Sequence, residues 1–138
     1  MPNISYRLVM GFDVGTRRIG VAIGQPIIAS AKPLSIVPVE GKKLPWPALD
    51  ALIREWEPDA FVVGIPLNRD GTVQPITLYA QKFADALHER YAKPVHPVDE
   101  RYSTVAARQE CRQNRLLGSR SRVDDIAAAI ILEEYLQN

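Results

Sequence analysis

The side chains best placed to do chemistry in this chain are carboxylates that interrupt apolar runs. Asp13 closes the run Leu8-Val9-Met10-Gly11-Phe12, and after the turn Val14-Gly15-Thr16 the apolar pattern resumes at Ile19-Gly20-Val21-Ala22-Ile23. Short apolar runs bounded by turn residues read as buried strands. Asp13 therefore stands at the mouth of a central strand, fixed by the sheet and open to ligand. Gly15 is expected to supply a positive φ for the reversal and to leave nearby amides unshielded. A carboxylate so placed must be solvated, paired or bound to a cation, because an unpaired buried charge is costly. Glu100 stands directly after a second strand-like run, Pro94-Val95-His96-Pro97-Val98-Asp99. Asp124 and Asp125 open a helix that is otherwise almost entirely apolar. Acids in a first turn are favourable to the helix dipole. The helical wheel sets Asp124 between Ile131 and Tyr135 and Asp125 between Leu132 and Leu136, and so favours neither.

A second chemical feature is basic. Arg101, Arg108, Arg112, Arg115, Arg120 and Arg122 crowd one segment against Glu110 alone, a local excess of +5 in a chain of net charge +1. Arginine suits forked contacts to phosphate. Any affinity for nucleic acid must come from such a patch, since the global field is nearly neutral.

Positioning these residues falls to alternating strands and helices. The two opening runs and a third, Ile27 to Val39, are joined closely enough to pair as an antiparallel meander. Trp46, Leu49, Leu52, Ile53 and Trp56 recur at helical spacing, with Pro47 in the first turn and Pro58 as the stop. Ala60-Phe61-Val62-Val63-Gly64 has the continuous apolar character of a strand covered on both faces. It runs into Gly64–Thr72, a loop dense in turn residues. Ile76, Tyr79, Ala80, Phe83, Ala84, Leu87 and Tyr91 mark an amphipathic helix, and the prolines of Pro94–Val98 place that strand at an edge. Ser103 or Thr104 caps an arginine-bearing helix broken at Gly118, and a last helix runs from about Val123 to Leu136. The pattern is an α/β fold, a mixed sheet with helices on its faces. Ligands gather beyond the carboxyl ends of parallel strands in such sheets, where Asp13, Glu100 and the Gly64–Thr72 loop converge. His88, near a helix end, and His96, within a strand, read as structural.

The 138 residues suit one domain, 1–138, with a single real core. No run approaches a membrane span and no signal peptide is visible. Cys111 is alone, which suits a reducing cytoplasm.

Taken together these motifs resemble one family. Phe12-Asp13-Val14-Gly15-Thr16 with Arg18-Ile19-Gly20-Val21-Ala22, Gly64-Ile65-Pro66-Leu67-Asn68 with Asp70-Gly71-Thr72, Asp99-Glu100-Arg101 with Ser103-Thr104, and Val123-Asp124 before an Ala-rich helix occur in order over nearly the full length. The chain is similar to the YqgF (RuvX) family of bacterial RNase H-like proteins. That family is described both as Holliday-junction resolvases and as nucleases maturing the 5′ end of pre-16S ribosomal RNA. Tyr102, where relatives often carry leucine, and the second aspartate after Asp124 depart from the pattern without touching the acids.

The resemblance implies an RNase H-like fold, a five-stranded mixed sheet flanked by helices, and a nuclease whose catalytic, metal-holding acids are Asp13, Glu100 and Asp124. It separates Asp124 from Asp125, which has no comparable family role. Oxygen-only ligands suit Mg²⁺ or Mn²⁺, and two such ions about 4 Å apart can drive in-line phosphodiester cleavage. Thr16, Arg18, Asn68, Arg101, Arg108, Arg112, Arg120 and Arg122 are the expected contacts to substrate, with the amides around Gly15 and Gly71. The expected partner is nucleic acid, pre-rRNA or branched DNA, met by a monomer or weak homodimer. RNA processing is preferred to junction resolution, which needs paired sites. Actin-like ATPases and sugar kinases share the Asp-x-Gly-Thr turn, but they close two such domains over a nucleotide. A non-catalytic nucleic-acid-binding module is the other alternative, and three acids gain nothing for a pure binder of polyanions.

Overall fold

The computed structural model describes residues 6–100 and 123–137. Five strands, β1 (Val9–Val14), β2 (Arg18–Gln25), β3 (Ser30–Pro38), β4 (Ala60–Ile65) and β5 (Val95–Asp99), form one sheet in the order β3-β2-β1-β4-β5. The β1–β2 and β2–β3 pairs are antiparallel, and β4 is parallel to both β1 and β5. Three helices complete the fold: α1 (Trp46–Trp56), α2 (Pro75–Tyr91) and α3 (Val123–Gln137). The mixed sheet and the edge position of β5 follow the sequence expectation. The arginine-bearing helix expected after Ser103 lies outside the described residues.

The third strand begins later than its apolar residues suggest. Pro26–Ile28 forms a single 3₁₀ turn, closed by Ala29 at φ 47, and leaves Ile27 and Ile28 exposed. Proline presets φ for a helical turn and has no N–H to give to a ladder, so the strand cannot start until Ser30.

The two faces of the sheet differ sharply in side-chain size. Alternation sends Met10, Phe12 and Val14 of β1, Ile19, Val21 and Ile23 of β2, and Phe61, Val63 and Ile65 of β4 to one side. There they form one buried cluster with Leu49 and Ile53 of α1 and Ala80, Phe83 and Leu87 of α2. Aromatic rings knit it together: Phe12 meets Phe83 edge-on at 5.2 Å between centroids, and Trp46 stacks on Phe83 at 5.8 Å. On the other side Val9, Ala22 and Val62 alternate with Gly11, Gly24 and Gly64, and α3 lies on that surface through Ala128, Ile131, Leu132 and Leu136. The glycines permit its approach. A Cβ on Gly11 would stand 3.0 Å from Leu132 Cβ, and one on Gly24 2.8 Å from Leu136 Cδ1.

On the aromatic side α1 and α2 are fastened by charge. Asp50 accepts from Arg90 Nε at 3.0 Å and Nη2 at 2.6 Å and from the Tyr91 hydroxyl, while the guanidinium lies 4.8 Å over the Trp46 ring. The hydrogen bond from Arg90 is the main cause holding the Asp50 carboxyl down at about 2, with that from Tyr91 adding to it. A depressed carboxyl pKa contributes stability that is present above the unfolded value and lost as pH falls through the folded one. The stability gap between wild type and Asp50→Asn should therefore be constant above pH ~5 and shrink as pH falls toward about 2. Urea denaturation across that range measures it, and a gap independent of pH contradicts the assignment.

Candidate active site

Asp13 is the penultimate residue of β1 and half-buried. Its partner in β2 is Gly20, and the parallel register that pairs Phe12 with Val63 brings Asp13 level with Gly64 of β4. By alternation Asp13 shares the face of Val9 and Gly11, the α3 side. Glycines flank it on both neighbouring strands, so the sheet around this carboxylate carries no side chains to crowd it.

Glu100 reaches the same face by a different route. His96 and Val98 of β5 point to the α3 side, and the next residue of that parity is Glu100. Its amide donates to the Ile65 carbonyl at 3.2 Å, which extends the β4–β5 pairing by one residue. The side chain is only 6 % exposed. Its carboxylate lies over Gly64, where an added Cβ would come within 2.8 Å of Glu100 Oε2 and 2.6 Å of Ile131 Cδ1. Glu100 thus fills the space that Gly64 leaves, beside Asp13. Asp99 has the other parity and lines a groove against α2 with Ile65, Gln81 and His88.

Helix α3 runs toward this end of the sheet. Leu132 packs on Gly11 and Leu136 on Gly24, and Gly24 pairs with Val9 at the start of β1. The helix is therefore antiparallel to β1, and its first turn, with Asp124 and Asp125, lies toward the end where β1 and β4 finish. The side chains of Asp124 and Asp125 fall outside the described residues. Among the described residues Asp13 and Glu100 are brought together, and no group of three metal-ligating side chains is present.

Two tight loops border the acids. In the first, the Gly15 amide donates to the Arg18 carbonyl at 3.0 Å, and a Cβ on Gly15 would stand 2.7 Å from that oxygen. The expected positive φ is absent, since the glycines in that region among the described residues are Gly41 and Gly71. Close approach, not handedness, requires glycine here. Thr16 and Arg18 are exposed on this turn. In the second loop Asn68 Nδ2 donates to Thr72 Oγ1 at 2.9 Å, and the Thr72 amide and hydroxyl donate to Asp70 Oδ1 at 3.0 and 2.6 Å. Gly71 turns the chain at φ +87. The Asn68 amide is thus committed within its own loop, and Arg69 is exposed at the tip. Fully buried Thr77 pins the loop to α2, its hydroxyl donating to the Pro66 carbonyl and accepting from the Gln74 amide at 3.1 Å. Sequence reading gave Gly64, Thr77 and Arg69 no role of their own at the site. The recurrence of glycine at one strand parity was the available signal.

Comparison with known proteins settles the family. The family described as "RuvX: Holliday junction resolvase" matches residues 7–138. A protein of Azotobacter vinelandii named "Putative pre-16S rRNA nuclease" is 45 % identical over 132 residues, covering 94 % of this chain and 93 % of its own. One of the same name from Chromohalobacter salexigens is 44 % identical over 137 residues, covering 98 % and 93 %. The chain belongs to the RuvX family. Solved structures share the fold of this RuvX chain at low identity. Thermus thermophilus RuvC in complex with Holliday junction substrate matches with TM-score 0.55 at 13 % identity over 94 % of this chain and 93 % of that one. Fowlpox virus resolvase with Holliday junction DNA gives 0.59 at 14 % over 94 % and 97 %. The RNase H-like fold expected from sequence is the fold observed. Of the residues that the RuvX resemblance marks for substrate contact, Thr16 and Arg18 border the Asp13 end of the sheet, whereas Arg101, Arg108, Arg112, Arg120 and Arg122 lie outside the described residues.

Gly64 offers a direct test of the geometry. Gly64→Ala should push Glu100 and Ile131 from their positions and destabilise the protein by about 1–3 kcal/mol, the cost of overpacking. Thermal melts measure it, and an unchanged melting temperature would mean that the glutamate does not lie over Gly64.

Proposed function

We propose that this RuvX protein is a single-domain, divalent-metal-dependent nuclease that processes the 5′ end of pre-16S rRNA, with Asp13, Glu100 and Asp124 as its metal-holding acids. The observation that carries the reading is the pairing of Asp13 with Glu100 on one glycine-cleared face, at the carboxyl end of adjoining parallel strands. The names borne by its relatives supply the substrate.

The residues present fit the ions that such chemistry needs. Both carboxylates offer oxygen donors alone, the set preferred by Mg²⁺ and Mn²⁺, and Glu100 Oε2 stands where a Cβ on Gly64 would come within 2.8 Å of it. Asp13 and Glu100, joined by Asp124 from the first turn of α3, would hold two ions. Bound there, they supply Lewis acidity and charge neutralisation at a phosphodiester. The protein's own part is positional. The sheet fixes Asp13, burial fixes Glu100, and the braced loops after β1 and β4 keep the approach open. Thr16 and Arg18 meet the phosphates of the strand, and the arginines of the segment 101–122 supply further phosphate contacts. No protein group is assigned proton transfer, and both histidines stay out of the reaction. His88 Nδ1 lies 3.1 Å from the Lys93 carbonyl, and His96 packs between Tyr6 and Tyr135.

Asp13→Asn keeps the shape of the side chain and removes the charge that offsets a divalent cation. Cleavage of a pre-16S 5′-leader RNA in Mg²⁺ or Mn²⁺ should fall by about 100-fold or more, while Asp125→Asn should cleave as wild type does. Equal rates for wild type and Asp13→Asn would remove the metal-nuclease reading. Preferential cleavage of a four-way DNA junction would instead make the chain a junction resolvase.

A further inference from the structure

The end of the sheet that carries Asp13 also carries cations that reach it from the β3 side. Strand β3 finishes at Pro38, paired with Arg18, so the chain leaves the sheet beside the turn that follows Asp13. The Val39 amide donates to the Arg17 carbonyl at 2.8 Å and ties the two segments together. Gly41 then turns the chain at φ +68, and no heavy atom lies within 4 Å of where its Cβ would stand. Lys42 and Lys43 follow at once. Both are exposed, as are Arg17 and Arg18, and within residues 39–43 the acid is Glu40. Exposed cations on both segments make this end of the sheet locally positive, the charge that a phosphate backbone seeks.

We propose that Arg17, Lys42 and Lys43 form a second phosphate-binding surface, which holds the backbone of the nucleic-acid strand leading away from the cleavage site on its β3 side. This rests on the nuclease reading for the position of the cleavage site, but not for the binding itself. The row Asp13–Gly20–Ile36 crosses β1, β2 and β3 in register. Two strand spacings make about 10 Å, so the surface stands close to Asp13 on its β3 side. The surface therefore grips the strand next to the scissile phosphate. Lysine ammonium groups act as point charges and carry no base-reading fork. Contact of this kind positions the strand without selecting its sequence.

The test separates local from global charge. A triple variant, Arg17→Ala with Lys42→Ala and Lys43→Ala, is compared with Arg7→Ala, Lys32→Ala and Lys82→Ala, which removes the same charge from exposed positions elsewhere. Binding of fluorescein-labelled 20-nucleotide single-stranded RNA and DNA is followed by anisotropy in EDTA over a salt series, with circular dichroism reporting the fold of each variant. The first variant should lose about tenfold or more in affinity at 50 mM salt, and its log–log salt slope should flatten by about 2, near 0.7 per lost phosphate contact. The second should stay within about twofold of wild type in affinity, with its slope unchanged. Equal losses in both variants, an unchanged slope in the first, or a wild type that binds neither strand overturns the proposal. Cleavage in Mg²⁺ is measured separately. A wild type that binds through these residues but does not cleave would remove the nuclease reading and leave the surface in place.

Discussion

Helix α3 lies so close to the sheet that no side chain fits between them at Gly11, Gly24 or Gly64, and the site depends on that approach. A helix on a sheet of large residues would stand off by the thickness of their side chains. Here Leu132 and Leu136 reach the backbone of β1 and β2, and Ile131 reaches Gly64. The same absence of side chains that admits the helix leaves room for two carboxylates at its far end. One structural choice, glycine at a single strand parity, therefore serves both packing and site.

Stability is built on the opposite face. Phe12, Phe61, Phe83, Met10 and Leu87 are fully buried there, and each buried side chain of this size contributes roughly 1.5–3 kcal/mol relative to exposure. Glycine in strand interiors is unfavourable, and burying a carboxylate is more so. The aromatic layer, with the Asp50–Arg90–Tyr91 fastening across α1 and α2, offsets both. This division explains why the apolar content of the sheet is so unequal between its two sides. The face that carries Asp13 and Glu100 is small and spare, and the opposite face is large and aromatic.

The five strands, the three described helices and their order were legible because most have a strong period or hard punctuation. Pro58 ends α1, Pro75 opens α2, and the prolines of β5 declare an edge. The start of β3 misled, because Ile27 and Ile28 look like strand residues while Pro26 dictates a 3₁₀ turn. Asp13 and Glu100 could be named from sequence, since both sit where an apolar run ends. Their meeting could not, because it depends on register between β1 and β4 and on the absence of a side chain at Gly64. Single-residue parity also decides between Asp99 and Glu100, and strand parity is visible only once the phase of β5 against the sheet is known. Gly15 shows the opposite failure. Its position was read correctly as a tight turn, but the reason was the carbonyl of Arg18 and not a left-handed φ.

The bracing of the loops follows from where the acids sit. A carboxylate at the end of a strand is held by the ladder on one side only, and beyond it the chain must turn. In a loose turn the groups beyond the strand would wander by ångströms, whereas positioning for in-line chemistry tolerates far less. The chain answers with backbone and side-chain bonds internal to each loop. Gly15 closes onto Arg18, Thr72 closes onto Asp70 with Asn68 as a strut, and Thr77 ties Pro66 to the start of α2. Of the polar residues Asn68, Asp70 and Thr72, the family resemblance marks Asn68 for contact with substrate. In the fold they bond one another and shape the loop that carries Arg69 at its tip. Rigidity around the acids is thus made from hydrogen bonds internal to each loop.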